Sequence, residues 1–142
     1  MATFYTDRTS GSAPAKYQAQ GVFSDIGTYE LSSTAAGSVI QMVKVAKGVT
    51  VIDMVLYCDD CGTATADVGI TGTDADYFMD GVDIGAATGT GYRMGAGVTT
   101  GAVAFPYTFA ADGTVDLLTI TNSTTGTITL VVYMTADPGD LA

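Results

Sequence analysis

The sequence predicts an all-β protein: a jelly-roll-like antiparallel β-sandwich with an extended N-terminal arm. Short segments alternate apolar, often β-branched residues with polar ones, which is the period of a half-buried strand. Glycine is frequent, at 18 of 142 residues, and turn-forming residues recur at spacings of roughly 8–12 residues. No segment longer than two turns has the period of an amphipathic helix. We expect about seven to nine strands, which is typical of a sandwich, jelly roll or barrel.

Length and composition predict one core. A chain of 142 residues and 14.5 kDa is the size of an ordinary domain. Its hydrophobic share of 47% and mean hydropathy of +0.33 place it well away from disordered chains. We therefore predict an arm over residues 1–20 and a single β-sandwich domain over residues 21–142.

The arm is predicted because residues 1–20 show neither the helical nor the strand period and contain turn formers at 9–14. Such an arm either frays or lies across a neighbouring molecule. Aromatic and cationic side chains are the anchors that interfaces use most. The predicted contact residues are Phe4, Tyr5, Arg8, Lys16 and Tyr17.

The first strands are predicted between residues 20 and 58. Residues 20–31 suit a strand with a bulge or bend near Gly27. A β-hairpin is expected over residues 39–58, with its turn at 47–50. On the second arm of this hairpin, alternate residues should share a face. One face holds Ile52, Met54, Leu56 and Cys58, and the other holds Val51, Asp53, Val55 and Tyr57.

Residues 59–100 are rich in glycine and acidic residues, which indicates loops with short strands at 66–71 and 77–84. Residues 105–109 are predicted to form an edge strand, because Pro106 removes a donor that a central strand needs. A last hairpin is expected over residues 115–135. Its second arm directs Ile128, Leu130, Val132 and Met134 to the core. The residues between them, Thr127, Thr129, Val131, Tyr133 and Thr135, form a mixed outer surface suited to partial solvation or to a partner.

Charge restricts the partners. The formal net charge is −10, with 15 acidic and 5 scattered basic residues. Nucleic acid and anionic membranes attract clustered Lys and Arg, so neither is an expected partner. Only 14% of residues are charged, about half the usual share. A weakly charged surface favours self-association or docking.

No leader or membrane span is expected. The N-terminus lacks the apolar stretch of a signal peptide, and no apolar run reaches the length of a membrane-spanning helix. We therefore expect the chain to be made in a cytoplasm and to stay soluble.

The two cysteines, Cys58 and Cys61, form a Cys-Asp-Asp-Cys motif. Structural zinc needs four ligands, and the chain has no other cysteine and no histidine. A redox motif needs a stabilised thiolate, whereas Asp59 and Asp60 should raise the thiol pKa. We predict a reduced pair, with no metal and no cofactor.

Four aspartates, Asp74, Asp76, Asp80 and Asp83, lie within ten residues of each other. Their spacing departs from an EF-hand loop, so we interpret them as turn-forming residues, with a calcium site as the alternative. The glycines of residues 85–91 lack the following helix and the lysine of a phosphate loop. Without histidine, no Ser-His-Asp triad is possible. No enzymatic activity is predicted.

Four segments, at residues 50–60, 68–70, 74–81 and 127–133, carry a family resemblance. They resemble the small jelly-roll cement, or decoration, proteins of tailed-bacteriophage heads, over residues 39–135. The resemblance implies a protein that binds the outer surface of an assembled capsid, bridges subunits of the major capsid protein and stabilises the shell. From the weakly charged surface we also expect self-association, as a homodimer or homotrimer. The expected location is the virion, after synthesis in the host cytoplasm.

Two alternatives stay open. One is a carbohydrate- or receptor-binding module of the fibre or lectin type, with Tyr77, Tyr92 and the aspartates of residues 74–83 on its loops. The other is a tail or neck component of a similar particle.

Overall fold

The computed structural model describes residues 2–6, 21–86, 89–98, 106–122 and 125–136. Within these ranges the chain forms ten strands and no helix, and so has no helix that could cross a membrane. The strands are β1 (Thr3–Tyr5), β2 (Val22–Ser32), β3 (Val39–Val45), β4 (Val49–Cys58), β5 (Thr65–Ile70), β6 (Asp74–Asp83), β7 (Thr90–Arg93), β8 (Tyr107–Thr108), β9 (Gly113–Thr119) and β10 (Thr125–Ala136).

The strands form two sheets packed face to face. Sheet I has the order β1-β3-β9-β5-β6, and sheet II has the order β2-β10-β4-β7, with β8 paired to β4. All pairings are antiparallel except that of β1 with β3. The predicted jelly-roll-like sandwich is confirmed.

The core lies between the two sheets and is almost entirely apolar. The predicted inward residues of β10, Ile128, Leu130, Val132 and Met134, are all fully buried. They meet buried side chains of sheet I such as Ile40. Each such residue contributes about 1.5–3 kcal/mol relative to an exposed position, so burial is the main favourable term in this fold.

Both predicted hairpins are wrong in their pairing. β3 belongs to sheet I and β4 to sheet II, and β9 and β10 are divided in the same way. The actual partners are β3 with β9, which sets Ile40 opposite Leu117, and β4 with β10, which sets Leu56 opposite Leu130. Each strand therefore pairs with a strand from the other predicted hairpin.

The connection from β3 to β4 changes sheets within three residues. Gly48 has a φ of 84°, a left-handed conformation that costs glycine little. Its amide donates to the carbonyl of Phe109 at 2.8 Å, and the Lys47 amide donates to Oδ1 of Asp112 at 2.8 Å. These distant partners hold the connection in place, so it passes from one sheet to the other.

A β-bulge interrupts the predicted alternation of β4. Tyr133 of β10 pairs with Asp53, but the next residue, Met134, pairs with Val51, which leaves Ile52 as an extra residue. Val51 is therefore buried on the core face, while Ile52 is only half-buried. The predicted assignment of these two residues to faces is wrong, and that of Met54, Leu56 and Cys58 is confirmed.

Strand β2 has no bulge at Gly27. It pairs with β10 at eleven consecutive positions, and Gly27 lies directly opposite Leu130 in that regular register. The predicted bend is therefore wrong, and the glycine has a different role, in the packing of the two sheets.

The first residues of the predicted arm join the domain. Thr3–Tyr5 pairs in parallel with Val39, Ile40 and Gln41 of β3. Thr6 is buried, and its hydroxyl donates to the carbonyl of Met42 at 2.5 Å. Residues 7–20 lie outside the described residues, so the boundary at residue 20 stays a prediction.

The acidic segment Asp74–Asp83 is strand β6, which overlaps the strand predicted at 77–84 but begins earlier, at Asp74, so that Asp74 and Asp76 lie in a strand and not in the predicted turn. β6 is the edge strand of sheet I at the side opposite β1. The amide of Gly95, just after β7, donates to the carbonyl of Phe78 at 2.7 Å, and the Asp80 amide donates to the carbonyl of Ala96 at 3.0 Å. These backbone bonds link β6 of sheet I to the segment that follows β7 of sheet II.

Candidate docking face

The outer face of sheet II is a continuous surface made by its four principal strands and by β8. Residues paired across neighbouring strands point to the same side of a sheet. The central row runs Ile26, Val131, Val55, Arg93 from β2 to β7. We call this surface the outer face. Its members are Val22, Ser24, Ile26, Thr28, Glu30, Thr50, Asp53, Val55, Tyr57, Gly91, Arg93, Thr108, Thr127, Thr129, Val131, Tyr133 and Thr135.

Exposed apolar side chains concentrate on the outer face. Six large hydrophobic residues are exposed among the described residues, and four of them, Val22, Ile26, Tyr57 and Tyr133, belong to this face. The other two are Tyr5 and Ile120. Scattered apolar residues are normal on a protein surface, but a cluster on one rigid face is typical of a contact site.

The outer face is nearly neutral. Its charged members are Glu30, Asp53 and Arg93, and the last two form an ion pair. The face therefore carries a formal charge of −1, on a chain whose total is −10. Because burying an unpaired charge is costly, a nearly neutral face loses little when a partner covers it.

Cross-strand contacts hold the polar part of the face in a fixed arrangement. The ring of Tyr57 lies against Gly91 on β7, where an added Cβ would stand 3.2 Å from ring atom Cε1. The hydroxyl groups of Thr28 and Thr129 are 3.3 Å apart, within hydrogen-bond distance. The outer face is thus a pre-organised surface of a regular sheet, which lowers the entropic cost of docking.

The structure describes only two of the five residues of the arm that are predicted to contact a partner. Phe4 packs against Tyr29 of β2, with ring centroids 5.7 Å apart, so it anchors β1 to its own domain. Tyr5 is exposed. Arg8, Lys16 and Tyr17 lie outside the described residues. Contact of the arm with a partner stays a prediction.

The two cysteines are free and buried. Burial raises the pKa of both thiols, and the charges of Asp59 and Asp60 raise it further. The sequence predicted a raised thiol pKa from the two aspartates, but burial is the larger cause of the increase. The thiol of Cys58 lies 3.5 Å from the carbonyl oxygen of Thr90, to which it donates.

Carboxyl groups meet in pairs along β5 and β6. Burial, then the neighbouring charges of Asp80 and Asp76, raise the pKa of Asp67. A side-chain hydrogen bond with Asp76 raises the pKa of Asp74. Across the described ranges, no group of three or more acidic or cysteine side chains is arranged to hold a metal ion.

The tyrosines proposed for a sugar site have structural contacts. Tyr77 packs edge-on against Phe78 and Tyr107, at centroid distances of 5.0 and 5.2 Å. The hydroxyl of Tyr92 donates to the carbonyl of Asp83 at 2.8 Å. A shallow hollow of about 270 Å³ elsewhere is lined by Lys44, Asp112, Gly113 and Thr114. None of these four is aromatic, so the hollow lacks the stacking platform that sugar sites favour.

The sequence predicted that the outward residues of β10 form an exposed surface. It did not predict that residues of β2, β4, β7 and β8 belong to the same face. The alternation of Val22, Ser24, Ile26 and Thr28 with inward residues was a usable signal for β2. It was obscured by Gly27, which suggested a bulge. Nothing local marks Arg93 as part of the same face, because its place there depends on the pairing of β7 with β4.

The fold has close relatives in shape among chains of solved phage capsids. A chain of the capsid of Ralstonia phage GP4 matches with a TM-score of 0.71 and 19% identity, over 95% of this chain and 98% of that one. A chain of the cyanophage Pam1 capsid asymmetric unit matches with a TM-score of 0.67 and 16% identity, over 89% and 93%. A chain of the acid-stable capsid of Helicobacter pylori bacteriophage KHP30 matches with a TM-score of 0.55 and 18% identity, over 80% of this chain and 88% of that one.

These likenesses show a shared fold. No protein-family model matches the sequence, and a search of the curated proteins finds no match.

Proposed function

We propose that this chain is a structural protein of a phage virion: a cement, or decoration, protein that binds the outer surface of the head and stabilises the shell. The observation that carries the proposal is the near-complete match to a chain of the Ralstonia phage GP4 capsid, over 95% of this chain and 98% of that one. Two chains that cover each other to this extent are nearly equal in length. The likeness is therefore to a whole small capsid subunit and not to one domain of a larger protein.

The outer face supports the proposal from the chemistry of this chain. A cement protein needs a rigid, weakly charged surface that fits a repeated site on the shell, and no reaction chemistry. The outer face offers exposed Val22, Ile26, Tyr57 and Tyr133 on a regular sheet with a formal charge of −1. Tyrosine and large apolar side chains are favoured at the centres of interfaces, where charged residues are depleted.

Bridging follows from the same proposal. A protein that touches two neighbouring subunits of the major capsid protein gains a second contact at high effective concentration. Modest contacts through the outer face, with the N-terminal arm on a second subunit, are then sufficient for stable attachment. The partner is the major capsid protein, and the place is the exterior of the virion.

Two matched variants test the proposed docking face. Ile26 and Ile120 are exposed to similar extents, 49% and 41%, but only Ile26 belongs to the outer face. The assay is co-sedimentation of the purified protein with empty heads that lack it. We expect Ile26→Asp to weaken binding by more than about tenfold, because a buried unpaired charge costs more than about 1.4 kcal/mol.

The variant Ile120→Asp is the control and should bind as the wild type does. Circular dichroism of both variants confirms the fold. Equal binding by the wild type and Ile26→Asp would exclude the outer face as the docking surface. Absence of binding by the wild-type protein itself would contradict the proposed function.

A further inference from the structure

Arg93 is the one cationic residue among the described members of the outer face. It lies on β7, directly opposite Val55 of β4, and its side chain is 72% exposed. The other charged members of the face, Glu30 and Asp53, are acidic. Arg93 is therefore the point at which this face can attract a negative group from a partner.

Asp53 holds the Arg93 side chain in position. Nη2 of Arg93 donates to Oδ2 of Asp53, and Oδ1 of the same carboxylate accepts the backbone amide of Met54 at 2.9 Å. Both oxygens of Asp53 are thus engaged, one by the guanidinium group and one by the backbone of β4. Because the carboxylate is fixed to the strand, the guanidinium group that it binds is also oriented on the face.

The ion pair leaves most donors of Arg93 available to a partner. A guanidinium group has five N–H donors in a planar fork. Within the part of the chain that the structure describes, its hydrogen bond to Asp53 is the only one that Arg93 makes. A partner that covers the face removes water from the remaining donors, and a buried donor without an acceptor is costly. A partner that fits must therefore bring oxygen acceptors to Arg93.

We propose that Arg93 determines the specificity of the outer face, and that it binds the carboxylate of an acidic side chain on the major capsid protein. The inference rests on the function proposed above and adds the chemistry of the partner. The planar fork of arginine matches a carboxylate through two parallel hydrogen bonds. Without Arg93 the face would carry a formal charge of −2 and would repel such a group.

The neighbours of Arg93 set the rest of the complementary surface. The row that contains Arg93 continues through Val55 and Val131 to Ile26. With a strand spacing of about 4.8 Å, this apolar strip extends roughly 14 Å from Arg93. The matching site on the shell should therefore have a carboxylate at one end of an apolar strip. Apolar neighbours also exclude water, which strengthens an ionic contact, and arginine is frequent among the residues that dominate binding.

Arg93→Gln tests the contact, because it removes the charge and keeps a side chain that can donate. Lys44→Gln is the matched control: it removes the same charge from β3, in sheet I. Both are compared with the wild type by co-sedimentation with empty heads that lack the protein, at low and at high salt. At low salt we expect Arg93→Gln to bind more than about tenfold more weakly, as for other paired interface charges. Lys44→Gln should bind as the wild type does.

The salt dependence identifies the group that Arg93 binds. The difference in affinity between the wild type and Arg93→Gln should narrow as salt rises, because salt screens the attraction between opposite charges. A difference that stays constant would indicate a neutral acceptor, such as a backbone carbonyl, and would overturn the inference. In the absence of heads, light scattering should give the same molar mass for Arg93→Gln and the wild type. A changed mass would assign the contact to a second copy of this chain and would also overturn the inference.

The remaining outcomes separate this inference from the proposed function. Circular dichroism confirms that the variants are folded. If the wild type binds heads and Arg93→Gln binds equally well, or if Lys44→Gln is weakened as much as Arg93→Gln, the role of Arg93 is refuted while the proposed function stands. If the wild type itself does not bind heads, the proposed function fails, and the inference that rests on it fails as well.

Discussion

Gly27 of β2 lies directly against the backbone of Met42 in β3, so closely that a Cβ on Gly27 would overlap the Met42 carbonyl oxygen. β3 is irregular here, since its register with β9 shifts between Gln41 and Val43. The same Met42 carbonyl accepts the hydroxyl hydrogen bond of Thr6. This contact joins sheet II to sheet I beside β1, and it sets how closely the sheets approach.

Substitution of Gly27 should therefore destabilise the fold. In Gly27→Ala the added methyl group meets backbone, which cannot rotate away, so the strands must separate. We expect a loss of at least about 2 kcal/mol in the free energy of unfolding, measured with guanidinium chloride. Ser24→Ala, on the exposed side of the same strand, should change it by less than about 0.5 kcal/mol. Equal stability of Gly27→Ala and the wild type would show that the sheets are less tightly packed here.

An aromatic contact links the sheets on the opposite side. Tyr107 of β8 packs edge-on against Tyr77 of β6, with centroids 5.2 Å apart, and against Phe109 at 5.1 Å. In a double-mutant cycle, Tyr77→Leu and Tyr107→Leu should show a coupling of about 0.5–1.5 kcal/mol, the usual range for such ring pairs. Additive effects of the two substitutions would mean that the rings do not interact.

Stability should increase as the pH falls from neutral to mildly acidic values. Burial raises the pKa of Asp116, and burial with the neighbouring Asp80 raises that of Asp67. Between the ordinary carboxyl pKa and these raised values, the folded state binds more protons than the unfolded chain. The free energy of unfolding then decreases as the pH rises through this window. A melting temperature that rises with pH across the same range would contradict this assignment.

Asp67→Asn isolates one of these groups. The asparagine oxygen can still accept from the Gly81 amide, which lies 2.8 Å from Oδ1 of Asp67, and its NH₂ group can donate to Asp80. We expect a small gain in melting temperature at neutral pH and a weaker dependence on pH. The gain should be below about 1 kcal/mol, because Asp67 is partly exposed and solvent screens its interactions. A loss of stability at neutral pH would show that the charge of Asp67 is favourable.

The thiols should be unreactive in the folded protein. Burial raises the pKa of Cys58 and Cys61, and the thiolate is the reactive form. With an aromatic disulfide reagent at neutral pH, we expect no labelling on the timescale of an exposed thiol. In denaturant, both cysteines of the chain should react. Rapid labelling of either thiol without denaturant would show that the β4–β5 connection opens readily.

The sequence predicted where most strands lie but not which strands pair. Alternation of apolar and polar residues is a local property, so β4 and β10 were found close to their observed bounds. A hairpin and a connection that changes sheets differ only in a few residues between the strands. At Lys47 and Gly48 the decision depends on Asp112 and Phe109, more than 60 residues away, and no local pattern contains that information.

The outer face was predictable only in part, for a similar reason. Tyr133 and Val131 were placed on an exposed surface from the alternation within β10 alone. Ile26 reaches the same face only through the pairing of β2 with β10, and Phe4 was assigned to an arm although it packs against Tyr29. Composition supports only a more general prediction: a chain this apolar with so few charged residues is expected to have a surface that a partner covers.

As a cement protein, the chain would be a stoichiometric component of a phage head. The most direct measurement is the copy number of the chain in purified virions that carry it, by quantitative mass spectrometry against the major capsid protein. We expect about one copy per major capsid protein, or a simple fraction of that number, because the sites of a symmetric shell repeat. A few copies per virion, or none, would contradict it and would indicate a tail, fibre or free binding protein.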